Sequence, residues 1–262
     1  MKKTFLICSL GGRIVSLIRL IDSIACFSDW NVDLVLQNYP EDEVEIIKYH
    51  TNVRFPDKCK FFVTGGMTGP HLARCIALDR DRSDVWCILD DDMYAVKGMT
   101  DYDKMAEIIF NDKSIGLLSS NWRKNEKMLA SVKLSDKLQR QSIVYTGGGM
   151  MMREDVADII RAIPRVQYLF DNPLWSIYSY VNGYDNCRFM GSAAVHEICT
   201  KGGRRKWISE NNRHKALPPA EWIRTRKGKG EKGGFDEYLI CEPSDITELA
   251  KQLHNSRKAE RK

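Results

Sequence analysis

The sequence predicts an α/β fold whose first half is a Rossmann-like, nucleotide-binding arrangement of parallel strands. Two observations predict it. Apolar runs of strand length alternate with stretches of helical periodicity from Thr4 to Leu89, and strands joined through helices run parallel with right-handed crossovers. The fourth apolar run, Val85-Trp86-Cys87-Ile88-Leu89, then delivers three consecutive aspartates, Asp90-Asp91-Asp92, to the carboxyl end of a strand, where ligands bind in such sheets.

Thr4 to Leu10 reads as the first strand, and Gly11-Gly12-Arg13 as a loop. Ile14 to Cys26 repeats apolar residues at helical spacing (Ile14, Leu17, Ile18, Ile21, Ile24, Ala25). Val32 to Leu36 is a second strand ending at Gln37-Asn38-Tyr39-Pro40, and Glu41 to Tyr49 a short helix. Lys60 to Val63 is a third strand, followed by the glycine-rich loop Thr64 to Pro70 and a helix from His71 to Leu78. That loop is not a phosphate-binding P-loop, since no Gly-Lys-Ser/Thr follows, and it has no G-x-G-x-x-G spacing.

Beyond the aspartates the pattern is less regular. Asp103 to Phe110 is a helix, Ile115 to Ser119 a strand, and the polar stretch Asn121 to Arg140 a mobile excursion. Ser142 to Tyr145 leads into Thr146-Gly147-Gly148-Gly149, where glycines let backbone approach a ligand closely. Met150-Met151-Met152 either fills core or lines an acceptor pocket. Helices follow at Glu154 to Ile163 and at Pro173 to Val181, with Pro in the first turn, and Arg188 to Val195 is a strand ending at His196. Arg224 to Gly234, rich in Lys and Gly, reads as a flexible loop, and Asp245 to His254 as a terminal helix in which Asp245 and Glu248 form a capping box. The organisation is one domain over 1–199 and a basic extension over 200–262.

The 262 residues can bury a sizeable core, and 43% hydrophobic with 29% charged content is that of a soluble globular protein. No apolar stretch is long enough to cross a bilayer, so no membrane partner is expected. The start, Met1 to Cys8, reads as a strand rather than a signal peptide, because Gly11-Gly12-Arg13 interrupts its short apolar run. The eight cysteines form no C-x-x-C pair, and Cys8 and Cys87 sit inside apolar runs; this usage suits the cytoplasm. Net charge is +5, unevenly spread: Thr200 to Lys232 holds eleven Lys or Arg against three Glu, hence +8, and the remainder carries −3. A basic segment on a mildly acidic body suits a polyanionic partner.

Three adjacent carboxylates repel one another, and burying them unpaired is expensive. A hard divalent cation, Mn2+ or Mg2+, resolves the conflict; an Asp-rich surface turn is the plainer alternative. Further along, Asp171-Asn172 is followed by Gly183-Tyr184 twelve residues later and by His196 thirteen after that.

This order of motifs resembles the GT-A glycosyltransferases, especially the large family-2-like group, over about residues 4 to 197. Asp90-Asp91-Asp92 matches the family's Asp-x-Asp, Gly147 to Gly149 its glycine segment before the acceptor site, and Asp171-Asn172 its acidic pair. Gly183-Tyr184 matches its Gly-aromatic, and His196 its late histidine. The resemblance implies a GT-A-type sheet flanked by helices and transfer of a sugar from a nucleotide-diphosphate sugar, with a UDP-sugar favoured. It implies Asp92 as metal ligand, His196 completing the coordination, and Asp90 facing the ribose or sharing the ion. With the register shifted by one, Asp91 is a ligand instead. A strand-end core histidine is the plainer reading of His196. Arg13, Asn38 and Arg74 fall near the expected nucleotide, Asn38 where the family often has an Asp; for either arginine a solvated helix-face charge is the alternative. Asp171 is the candidate general base for the acceptor hydroxyl. Asn172 stands where the family has its catalytic Asp, and either residue before Pro173 also suits a helix cap.

Within 200–232 lie Arg204-Arg205-Lys206-Trp207 and Trp222-Ile223-Arg224. Basic residues interleaved with Trp suit phosphate contacts and base stacking. With the fold, this resembles the glycosyltransferases of bacteriophages and kinetoplastids that modify hydroxymethylated pyrimidines in DNA. Arg204, Arg205 and Lys206, with Gly147, Gly148, Gly149 and Asn172, are then the acceptor side. A lid over the diphosphate is the competing reading of the segment. Acceptors of other kinds, a nucleotidyltransferase of related fold and an inactive binding module remain as alternatives.

Overall fold

The computed structural model describes residues 1–66, 69–141, 144–163 and 171–197, with two short strands at 224–225 and 238–239. Four parallel strands form the first half: β1 (Lys3–Leu10), β2 (Asn31–Gln37), β3 (Cys59–Thr64) and β4 (Val85–Asp90). Their spatial order is β3-β2-β1-β4, and α1 (Ile14–Ile24), α2 (Glu41–Arg54) and α3 (Pro70–Arg80) connect them. Helix α2 runs past the predicted Tyr49 because Ile47 and Thr51 keep its inner face buried. Strand β4 explains its own composition. Val85, Cys87 and Leu89 enter the core beneath α1 and α2, while Trp86 and Ile88 enter the core beneath α3. A strand covered on both faces is apolar at every position.

The second half comprises β5 (Met93–Tyr94), α4 (Tyr102–Asn111), β6 (Ile115–Arg123), α5 (Glu126–Leu129), β7 (Leu138–Arg140), a 3-10 turn (Thr146–Gly148), β8 (Met150–Arg153), α6 (Glu154–Arg161), α7 (Asp171–Val181) and β9 (Asp185–His196). The sheet continues β4-β8-β6-β9-β5, with β7 paired to β9 as well. Strand β8 is antiparallel to both of its neighbours, so the sheet is mixed rather than wholly parallel. Met150 and Met152 face one core and Met151 the other, all fully buried, which makes the triplet packing residues rather than pocket lining.

The stretch Asn121 to Arg140, expected as an excursion, instead holds the end of β6, α5 and β7. Ladder hydrogen bonds are made by backbone, so an edge strand with solvent on one side tolerates the polar composition that argued against it. The Asn125 side chain caps α5, accepting from the Met128 N–H at 2.9 Å. The expected Lys- and Gly-rich loop begins as a short strand, Arg224–Thr225, paired antiparallel with Tyr238–Leu239. The terminal helix expected over 245–254 lies outside the described residues.

Candidate metal and nucleotide site

Parallel register places the aspartates. Cys8 on β1 pairs with Asp90 on β4, so the loop after β1 and the aspartate triplet leave the sheet side by side at its carboxyl edge. Strand β5 follows the triplet directly and pairs with the end of β9, Met93 opposite His196. The Glu197 N–H donates to the Asp92 carbonyl at 2.9 Å. This pairing closes a separation of 104 residues and sets His196 Nε2 2.9 Å from Asp92 Oδ1. The same nitrogen is 3.8 Å from Asp90 Oδ2.

The three aspartates are held by two arginines and a histidine, with Arg13 shared between Asp91 and Asp92. Asp90 Oδ1 accepts from Arg74 at 2.6 Å, and its Oδ2 accepts from the Thr146 hydroxyl at 2.6 Å. Asp92 faces His196, with Arg13 at 3.8 Å. Asp91, expected at the nucleotide or as an alternative ligand, is turned inward and is 4% exposed. It accepts from Ser9 Oγ at 2.7 Å and from Arg13. Burial pushes the Asp91 carboxyl above the usual carboxylate range, against the opposing pull of Arg13. Arg13 and Arg74, expected near the nucleotide, both hold aspartates, and the Arg74 side chain is only 4% exposed.

Asp90, Asp92 and His196 each offer one ligand atom within 4.8 Å of the others. Atoms this near one another could all be held by one small, hard cation. Two carboxylates favour Mg2+ or Mn2+, and an imidazole favours a transition ion; Mn2+ meets both demands. The donor set therefore fits such an ion.

The glycines after Thr146 make room for protein. A side chain on Gly147 would meet His196 Nδ1 at 2.7 Å, and one on Gly148 would meet Ser120 Oγ at 2.4 Å. Gly149 has φ +91°, which favours glycine. All three glycines are buried, and the space a side chain would take is filled by His196 and Trp122 at Gly147, by β6 at Gly148 and by Tyr102 and Leu89 at Gly149. Trp122 stands edge-on to the His196 ring with centroids 5.4 Å apart.

Asn38 follows β2 directly, with φ +53°, and is exposed at the same sheet edge. Asp171 is the first residue of α7, and Asn172 is in that helix's first turn, its Nδ2 3.4 Å from Thr146 Oγ1. Both residues are inside the helix rather than before it. Arg204, Arg205 and Lys206 lie outside the described residues. Ser9, Thr146 and Trp122 were not foreseen individually. Thr146 stood beside a recognisable glycine motif, whereas nothing local marks Ser9 or Trp122.

No protein-family model matches the sequence, and no curated protein matches it by sequence. Solved structures do resemble the fold. The mannosyltransferase PcManGT from Pyrobaculum calidifontis, in complex with GDP-Man and Mn2+, matches at TM-score 0.59 and 13% identity, covering 82% of this chain and 62% of its own. TarS 1-349 from S. aureus matches at TM-score 0.56 and 14% identity, covering 75% and 60%. GalNAc-T7 with UDP, GalNAc and Mn2+ matches at TM-score 0.60 and 13% identity, covering 75% and 44%. This chain thus spans between 44% and 62% of the length of those three proteins. At such identities the likeness is one of fold, and the fold is the GT-A type: a largely parallel central sheet flanked by helices, with an Asp-Asp-His group at its carboxyl edge.

Proposed function

We propose that this chain is a metal-dependent glycosyltransferase that moves a sugar from a nucleotide-diphosphate sugar to an acceptor hydroxyl. The convergence of Asp90, Asp92 and His196 at the mouth of a GT-A-type sheet carries the reading. In such a transfer the acceptor oxygen bonds to the anomeric carbon as the bond to the diphosphate breaks, and negative charge grows on the leaving group. A divalent cation held by Asp90, Asp92 and His196 would supply the opposing charge there. Arg74 and Thr146 keep Asp90 oriented, and Arg13 shares its charge between Asp91 and Asp92.

The acceptor proton needs a base. Asp171, at the head of α7, is our candidate, since the amide of Asn172 cannot take up a proton at neutral pH. For the donor we favour a UDP-sugar at the edge where Asn38 and Arg13 lie. For the acceptor we favour a hydroxymethylated pyrimidine in DNA; the support is the basic, Trp-bearing segment 200–232. The cysteines among the described residues are free, which together with this substrate suits the cytoplasm.

A thermal-shift screen of UDP-sugars and GDP-mannose with and without Mn2+ tests the donor side. The expected result is a melting temperature raised by one donor only when Mn2+ is present, and an Asp92→Ala variant that shows no such rise. A variant that keeps donor-dependent stabilisation and turnover overturns the reading. A transfer assay comparing hydroxymethylated with plain DNA then tests the acceptor.

A further inference from the structure

Asp90 is gripped on both oxygens, and both grips lead to the same helix. Its Oδ1 accepts from the buried Arg74 of α3 at 2.6 Å. The Arg74 guanidinium lies over the Trp175 ring of α7, 5.8 Å from its centroid. Trp175 in turn donates from Nε1 to Nδ1 of the fully buried His71 at 3.0 Å, which ties α7 back to α3. On the other side, Oδ2 accepts from Thr146 Oγ1 at 2.6 Å, and Thr146 Oγ1 receives Asn172 Nδ2 of α7 at 3.4 Å.

The direction of that second chain follows from its chemistry. A carboxylate only accepts, so the one hydroxyl proton of Thr146 must point at Asp90. The Thr146 oxygen then has only lone pairs for Asn172, so the amide must turn its NH2 inward. This turns Asn172 Oδ1 the other way, where it is buried and has no hydrogen-bond partner among the described residues. A buried acceptor left without a donor is unfavourable. Two acceptors, Asp90 Oδ2 and Asn172 Oδ1, therefore compete for one proton, and the charged one holds it.

We propose that Thr146 is a positioning residue that ties the carboxylate of Asp90 to the head of α7, so that the metal side and the acceptor side of the site are set as one unit. The proposal rests on the metal reading of Asp90. A merely structural threonine would affect folding alone. Thr146 should instead act on the ion, and its effect should depend on Asn172.

The test is a calorimetric titration of the full chain with Mn2+ alone, alongside the melting temperature of each metal-free protein. Thr146→Val should weaken Mn2+ binding about 10-fold, the scale for loss of a group that orients a ligand, and Thr146→Ser should restore it to within about 2-fold. Asn172→Ala should weaken it about 3-fold, and the double variant Thr146→Val with Asn172→Ala should bind no more weakly than Thr146→Val alone. Unchanged affinity in Thr146→Val, or single effects that multiply in the double variant, overturns the proposal and leaves the metal reading standing. If the wild-type chain itself binds no Mn2+, the metal reading falls and this proposal with it. Should Thr146→Val fail to fold, Thr146→Ala serves as the same arm.

Discussion

Asp33 is a fully buried carboxyl on β2, at the opposite end of the sheet from the proposed chemistry, where Asp81, Lys60 and Lys2 meet. Burial, reinforced by the neighbouring Asp81 carboxylate, pushes its pKa up to about 7, against the pull of Lys60 and Lys2. Between about pH 4 and pH 7 the folded chain therefore holds a proton that the unfolded chain has released, so stability falls as pH rises through that window. The difference is of order 4 kcal/mol once the native carboxyl is charged. Asparagine resembles the protonated form, so Asp33→Asn should melt higher than wild type at pH 8 and lose most of that advantage at pH 4.5. Melting temperatures across that range check it, and parallel curves for the two proteins would contradict it. None of this was visible in the sequence, where Asp33 is one acidic residue in an apolar run. The pairing that surrounds it with Lys60 and Asp81 is tertiary.

At the scale of the elements, the two-residue strand β5 has an effect out of proportion to its length. Its pairing with β9 carries His196 to Asp92, and the 3-10 turn at Thr146–Gly148 packs against the same imidazole. Gly147→Ala is therefore a probe of His196 rather than of backbone freedom. Its new Cβ would stand 2.7 Å from His196 Nδ1, so the ring must move. Mn2+ affinity should fall by about 10- to 100-fold with little loss of melting temperature. Gly66→Ala, which meets nothing within 4 Å among the described residues, is the control and should leave Mn2+ affinity unchanged. Calorimetric titration of the two variants measures the contrast. The strands and helices of the first half were legible because periodicity and burial coincide there. The aspartate triplet and the late histidine were legible as types and spacings. The segment from Asn121 to Arg140 was not, because β7 is held through its backbone, whose hydrogen bonds leave no mark in side-chain composition. The true surroundings of Gly147 to Gly149 were hidden for a related reason: glycine announces a close approach but not what approaches.

For the whole molecule, the sheet order joins a parallel first half to a second half through the antiparallel β8. The site therefore draws Asp90 and Asp92 from the middle of the sheet and its immediate exit, and His196 from a strand laid down much later in the chain. That topology bears on the order of events in folding. Bringing Asp92 and His196 together carries a loop-closure cost that is met before the contact rewards it, and we place that contact late in folding. An ion bridging Asp92 and His196 would act as a removable cross-link closing a loop of 104 residues. It would then stabilise a contact made after the rate-limiting step. Mn2+ should slow unfolding several-fold while leaving the refolding rate nearly unchanged. Stopped-flow denaturant jumps with and without EDTA measure both arms, and an equal effect on both would place His196 within the folding nucleus. On a ribosome the same feature would work as a completion signal: the three candidate ligands are all present only once His196 has emerged, so metal uptake would report that the second half of the sheet has been made.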